Sequence, residues 1–287
     1  MKTSTEIGSA SKIVGERKAV ELIAKAGFDA WDFSMFNMCR YDFVNRVAIE
    51  TNHPLSSNEY VKFAKELRHI GEECGIVCNQ SHAPFPCSDK TIHSYLKRAI
   101  ECSAIAGAQY CVIHPRNYDS PTGNKELFYE LLPFAKECGV KIATENMWSW
   151  NKETDKAGHA ACSSPENFNA HLDEVDDEFL VACLDIGHAE MMGKDTNAPE
   201  MIRSLGNRLK ALHVHDNDKW HDSHQIPFSM DIDFESVIAA LKEINYGGYI
   251  TLEADQYLSA YDEGNIFDGI RKLSESARKL ADMYENM

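Results

Sequence analysis

Six largely apolar runs in this sequence end in a side chain that can bind a metal or move a proton. They are Ile76–Ser81 before His82, Tyr110–Ile113 before His114, Val140–Thr144 before Glu145, Phe179–Leu184 before Asp185, Leu209–Val214 before His215 and Tyr249–Leu252 before Glu253. His188 follows Asp185 by three residues. One carboxylate or imidazole at the end of a buried run is ordinary, because it can cap a helix or bond a loop. Six in succession point to a shared cause. Converging carboxylates repel unless a cation or a proton neutralises them. A mixed oxygen and nitrogen donor set suits a divalent metal.

His213 and His215 lie two apart on one run, so they share a face. His215 is nearer the end and is the better ligand; His213 reads as a hydrogen-bonded interior residue one layer deeper. Beyond them come Asp216, Asn217 and Asp218, then Asp222 and His224, two apart. That D-x-H pair reads either as extra ligands and substrate contacts or as a polar loop. There is no glycine-rich phosphate loop and no G-x-S-x-G elbow for a serine nucleophile.

Something must carry these ends to one place. Helical stripes separate the runs: Ala19, Leu22, Ile23, Ala26; Tyr60, Phe63, Ala64, Leu67; Ile92, Tyr95, Leu96, Ala99; Phe128, Leu131, Leu132, Ala135; then helices starting at Ser164-Pro165 and near Asn197, and stripes through Val237–Ile244 and Ile266–Leu280. Gly27, Gly75, Gly107 and Gly139 stand where stripes stop, as helix C-terminal glycines do. Two earlier runs, Lys2–Gly8 and Phe28–Ser34, read as strands, and the stretches to about Ser57 and around Trp148 and Trp150 as long loops. Eight strand–helix alternations predict an α/β fold, a (β/α)8 TIM barrel spanning 1–287 as a single domain. An open doubly wound sheet is the alternative. In a closed barrel the site lies at the C-terminal strand ends.

Charge narrows the partners. With 45 acidic against 29 basic residues and a net charge of −16, the chain is poorly suited to nucleic acid or to an anionic membrane surface. No apolar run approaches the roughly 18 residues of a membrane span. The N-terminus lacks the apolar segment of a signal peptide. Nine cysteines, an odd number with no CxxC pair, read as reduced thiols of a cytoplasmic protein.

Several motifs taken together resemble the xylose-isomerase-like TIM-barrel superfamily, which holds sugar and sugar-phosphate isomerases and epimerases together with endonuclease IV. They are Ser81-His82-Ala83-Pro84, Ile113-His114-Pro115, Thr144-Glu145-Asn146, Leu184-Asp185-Ile186-Gly187-His188, His213-Val214-His215-Asp216 and Leu252-Glu253. In ketose 3-epimerases of this group the positions matching Glu145, Asp185, His215 and Glu253 are the metal ligands, and the two glutamates are also the acid/base pair. The position matching His188 contacts substrate. Endonuclease IV adds ligands that match His82, His114, His188, Asp222 and His224 in type and order. The resemblance therefore implies one divalent ion, Mn2+ or Zn2+ first with Co2+ or Mg2+ as alternatives, and room for extra metals at His82, His114, Asp222 and His224. Sugar-type members keep these histidines as substrate contacts. One departure is that Lys219 and Trp220 follow Asp218 where the epimerases carry an arginine, so substrate contacts differ.

The implied chemistry is proton transfer through an enediolate by Glu145 and Glu253 on a small carbohydrate. His188, His82, His114, His224 and Trp148 would bind or enclose the substrate. The alternatives are an inositol-type dehydratase, an endonuclease IV-like zinc phosphodiesterase and a non-catalytic sugar-binding barrel. Homo-oligomerisation is common in the group.

Overall fold

The computed structural model describes residues 1–287. Eight parallel strands form the central sheet: β1 Lys2–Glu6, β2 Ala30–Ser34, β3 Val77–His82, β4 Tyr110–Val112, β5 Lys141–Glu145, β6 Leu180–Asp185, β7 Leu209–His213 and β8 Tyr249–Leu252. From β1 to β7 each strand pairs with the next in sequence, and β1 also pairs with β8. The remaining seam closes through a parallel bridge between Val214 and Leu252, where Val214 N–H donates to Thr251 O at 2.9 Å and Glu253 N–H to Val214 O at 3.0 Å. The sheet is thus a nearly closed barrel, its β7–β8 seam held by this single bridge.

Eight helices surround it: α1 Glu16–Ala26, α2 Tyr60–Glu73, α3 His93–Ala106, α4 Pro121–Cys138, α5 Pro165–Val175, α6 Ala198–Leu205, α7 Phe234–Glu243 and α8 Ile266–Asn286. Their boundaries follow local chemistry. Ser164 and Asn197 cap α5 and α6 by accepting from Asn167 N and Glu200 N, with a proline in the first turn of each helix; such caps contribute about 1 kcal/mol each. Gly27 and Gly107 end α1 and α3 with φ of 98° and 89°, which side chains with a Cβ resist. None of the helices is long and apolar enough to cross a membrane.

The main apolar core is one cluster of 67 buried residues between the strands and the helices. Inside the barrel the filling divides. Under β4–β7 it is small and apolar, with Val112, Ala143, Val181, Cys183 and Ala211. On the β1–β3 and β8 side it is polar: Ser4 bonds Asn79 at 2.6 Å, Asn79 bonds Thr251 at 3.1 Å, and Gln80 bonds Asp32 at 2.9 Å. Buried polar groups require such partners.

Two stretches expected as loops contain short antiparallel hairpins, Arg40–Asp42 with Val47–Ile49 and Ser149–Asn151 with Lys156–Gly158. Their three-residue strands are too short and too exposed for any apolar alternation to show. A short helix, Gly8–Val14, also follows β1 directly.

Candidate active site

Glu145, the last residue of β5, sits among imidazoles. Its Oε2 is 3.2 Å from His114 Nε2 and 3.5 Å from His82 Nε2, and its Oε1 is 3.2 Å from His213 Nδ1. Glu253 follows β8 and brings Oε2 to 3.3 Å from the same His213 nitrogen. Asp185 ends β6. Its Oδ1 accepts from His188 N–H at 2.7 Å, capping the short helix Ile186–Glu190, and lies 3.2 Å from His215 Nε2. Asp222 stands among a second set: its Oδ2 lies 3.2 Å from His188 Nε2 and accepts from the Trp148 indole N–H at 3.1 Å, while its Oδ1 is near, without hydrogen-bonding to, His224 Nε2 at 3.3 Å and His215 Nε2 at 3.5 Å.

Five groupings could hold a cation, with potential ligand atoms within 4.8 Å of one another: Glu145, Asp185, His213 and Glu253; His82, His114 and Glu145; His188, His215, Asp222 and His224; and two that overlap the first at His213, namely His82, His213 and Glu253, and Glu145, Cys183 and His213. The first differs by one imidazole from the set expected from the sequence, which contained His215 and placed His213 deeper. Register explains this. Asp185 is level with His213 across the β6–β7 pair, so His213 stands beside the carboxylates. His215, past the end of β7, keeps contact with Asp185 but faces the Asp222 group as well, and its ring stacks on His224 at 3.8 Å.

The donor set fits a cation. Glu145 Oε2, Asp185 Oδ2, His213 Nε2, His215 Nε2 and Asp222 Oδ1 are all buried without a hydrogen-bond partner. Each such atom costs about 1–3 kcal/mol, so their concentration at one place calls for a compensating ligand.

Electrostatics separate the two glutamates. Burial acts to raise the Glu145 carboxyl, but His213, His114 and His82 hold it well below the usual carboxylate range. Burial, reinforced by the Glu145 charge, raises Glu253 despite His213. Burial opposes charge on His188, yet Asp185 and Asp222 push it up to about 10.

Asn146 organises the centre. Its side chain accepts from Asp185 N–H at 2.7 Å and donates to Asp185 O at 2.9 Å, while its carbonyl meets His188 Nδ1 at 2.9 Å. That leaves His188 Nε2 facing Asp222. Outer partners of this kind orient ligand rings.

The mouth is a cavity of about 260 Å3 walled by Phe36, Phe85, Met147 and Trp148. His82, His114, Glu145, His188, His224, Glu253 and Trp148 all line it, while Asp185 and His215 lie behind His188 and Asp222. Several lining residues were not expected there from the sequence, among them the charged Glu6, Lys12 and Asp255. Glu6 carried a usable signal, since it ends β1 as the other six end their runs. Its carboxylate accepts from Ser9 N–H at 3.0 Å and Ser34 Oγ at 3.2 Å. A recess of about 520 Å3 at the other end of the barrel, beside Val77, Lys210 and Tyr249, brings together none of these groupings.

Comparisons with known proteins agree with this architecture. The family model described as xylose isomerase-like TIM barrel matches residues 20–282. The chain is 29% identical over 255 residues to an uncharacterized protein of Methanocaldococcus jannaschii, covering 82% of this chain and 78% of that one. It is 29% identical over 139 residues to the inosose dehydratase of Clostridium perfringens, 42% of this chain and 43% of that one. The crystal structure of a D-tagatose 3-epimerase-like protein superposes with a TM-score of 0.74 at 22% identity, covering 100% of this chain and 99% of that one.

Proposed function

The chain belongs to the xylose isomerase-like TIM barrel family, and on that premise we propose that it is a divalent-metal-dependent isomerase or epimerase of a sugar or sugar phosphate. The observation that carries this reading is the pair Glu145 and Glu253. They come from strands three apart around the barrel, yet both reach His213 Nδ1, at 3.2 and 3.3 Å.

Glu145, Asp185 and Glu253, with His213 or His215, would hold the ion, Mn2+ or Zn2+ first. When bound, such an ion supplies Lewis acidity that polarises a carbonyl and acidifies the neighbouring C–H. One of Glu145 and Glu253 removes that proton, giving the enediolate of the sugar. The other returns a proton to the opposite face, or to the adjacent carbon. Carboxylates whose environments push their proton affinities apart are suited to opposite roles in one step. His188, His82, His114 and His224 orient substrate oxygens, and Phe36, Phe85 and Trp148 exclude water. The working unit is read as one domain, 1–287, acting on a small carbohydrate. Nine unpaired cysteines support a reducing, cytoplasmic setting.

The partial likeness to an inosose dehydratase favours a second reading, in which the same proton abstraction is followed by loss of water. One experiment addresses both. Ketoses, ketose phosphates and inososes are incubated in D2O with Mn2+, Co2+, Mg2+ or Zn2+ and followed by NMR. The expected result is deuterium wash-in at the carbon next to the carbonyl for at least one substrate. Accumulation of an enone product would select the dehydratase. Product formed with full retention of that hydrogen would sink the enediolate route.

A further inference from the structure

The catalytic cavity does not end at Phe85. That ring stacks on His114 with centroids 5.0 Å apart and is 48% exposed. Beyond it lies a second groove of about 660 Å3, which shares Phe85, His114 and Met147 with the catalytic cavity. Its walls include Tyr41 and Phe43, from the Arg40–Ile49 hairpin, and Tyr118, from the loop after β4. Tyr41 and Phe43 meet edge to face at 5.0 Å. Phe43 is 73% exposed and Tyr118 is 83% exposed. Isolated exposed aromatics need no explanation, but a cluster of them beside a catalytic opening marks a binding surface.

The polar groups of the groove indicate what it binds. Arg116 Nε and Asn117 Oδ1 are buried and have no hydrogen-bond partner, one a donor and the other an acceptor. The charges are balanced: the lining holds Arg46 and Arg116 together with Asp89 and Asp119, and Arg116 lies 3.5 Å from Asp119. Paired charges suit neutral hydroxyls better than an anion. Aromatic faces beside the polar lining residues Ser88, Arg116 and Asn117 match a sugar ring, with its apolar C–H face and its hydroxyl rim.

We propose that this groove holds a second sugar residue. The substrate is then a glycoside, its reacting ring in the catalytic cavity and its attached sugar between Tyr41, Phe43 and Tyr118. The catalytic cavity of about 260 Å3 holds little more than one ring, and the groove supplies the space for the other. The inference rests on the isomerase or epimerase reading for the identity of the first ring.

The test uses metal-loaded protein and calorimetry. The probes are D-fructose, D-fructose 6-phosphate and three glucosyl-fructoses that keep a ketose end: maltulose, turanose and isomaltulose. At least one disaccharide is expected to bind tenfold or more tightly than D-fructose. Phe43→Ala and Tyr118→Ala should each remove most of that gain and leave D-fructose affinity within twofold. Both side chains are on the surface, and circular dichroism verifies that the variants fold. The proposal is overturned if no disaccharide outbinds D-fructose, or if the variants weaken both kinds of sugar equally. It is also overturned if the phosphate ester outbinds every disaccharide and loses that advantage in Arg46→Ala. The two readings can fail separately. Groove-dependent disaccharide binding without deuterium wash-in keeps the groove and sinks the isomerase; wash-in on monosaccharides without disaccharide preference does the reverse.

Discussion

Gly187 lies directly against the imidazole of His215: a Cβ built on Gly187 would overlap the ring's Cε1, Nε2 and Nδ1 atoms. The ring has nowhere to retreat, since it is fully buried and stacked on His224. The glycine between Asp185 and His188 is therefore a requirement of packing, set by a histidine from the next strand.

Gly187→Ala should displace His215 from Asp185 and Asp222. Backbone strain is not the cause, because Gly187 does not have a left-handed φ. Overpacking of a buried site costs typically about 1–3 kcal/mol. The expected outcome is a folded protein with lowered melting temperature and at least tenfold weaker metal binding, measured by competition with a chromogenic chelator. Unchanged metal affinity would place His215 outside the metal-binding set.

Glu145→Gln and Glu253→Gln should each lower the rate of proton exchange by about 10²–10⁴-fold, the usual contribution of a positioned acid or base. The measurement is single-turnover deuterium exchange on whichever substrate shows wash-in, with metal content determined in parallel. Normal exchange in both variants would exclude the acid/base assignment.

Removing metal should destabilise the fold. Five buried polar atoms without partners converge at the centre, and a ligand that satisfies them only in the native state stabilises it by mass action. At a hundredfold excess over the dissociation constant that is about 2.7 kcal/mol, a shift of roughly 5–10 °C for a chain of this size. Chelation followed by calorimetry measures it. Elemental analysis separates one ion per chain from three. Three zinc ions together with cleavage of abasic DNA would favour the phosphodiesterase alternative.

Glu6 should make metal-free stability fall with rising pH. Burial is the main cause that lifts its carboxyl to about 7, with its bonds to Ser9 opposing and Asp255 and Glu253 adding. A folded-state value raised above the unfolded one contributes stability that is complete below about pH 4.5 and is lost as pH rises through about 7. Relative to the wild type, Glu6→Gln should gain up to about 3 kcal/mol between pH 5 and pH 8.5. Denaturant melts across that range test it; a pH-independent difference would show that Glu6 is already ionised.

The alternation of apolar runs with helical stripes made the barrel legible, because each strand is buried and each helix presents one apolar face. Helix starts at Ser164-Pro165 and Asn197 and stops at Gly27, Gly107 and Gly139 were legible for the same reason: caps are local chemistry. The hairpins Arg40–Ile49 and Ser149–Gly158 were not, since three-residue exposed strands leave no periodic trace.

At the site, sequence alone determined which side chains stand at the strand ends, since a polar group after a buried run has only the barrel mouth to occupy. It favoured His215 over His213 as the ligand on position along the run, whereas the β6–β7 register, which sequence does not reveal, puts His213 level with Asp185. Sequence also could not seat Asp222 and His224, which arrive on a loop whose path is set by contacts with His188, Trp148 and the Glu253 carbonyl. The sequence settled the donor types. Only barrel closure, which puts residues from distant segments within hydrogen-bonding reach, decided how they group.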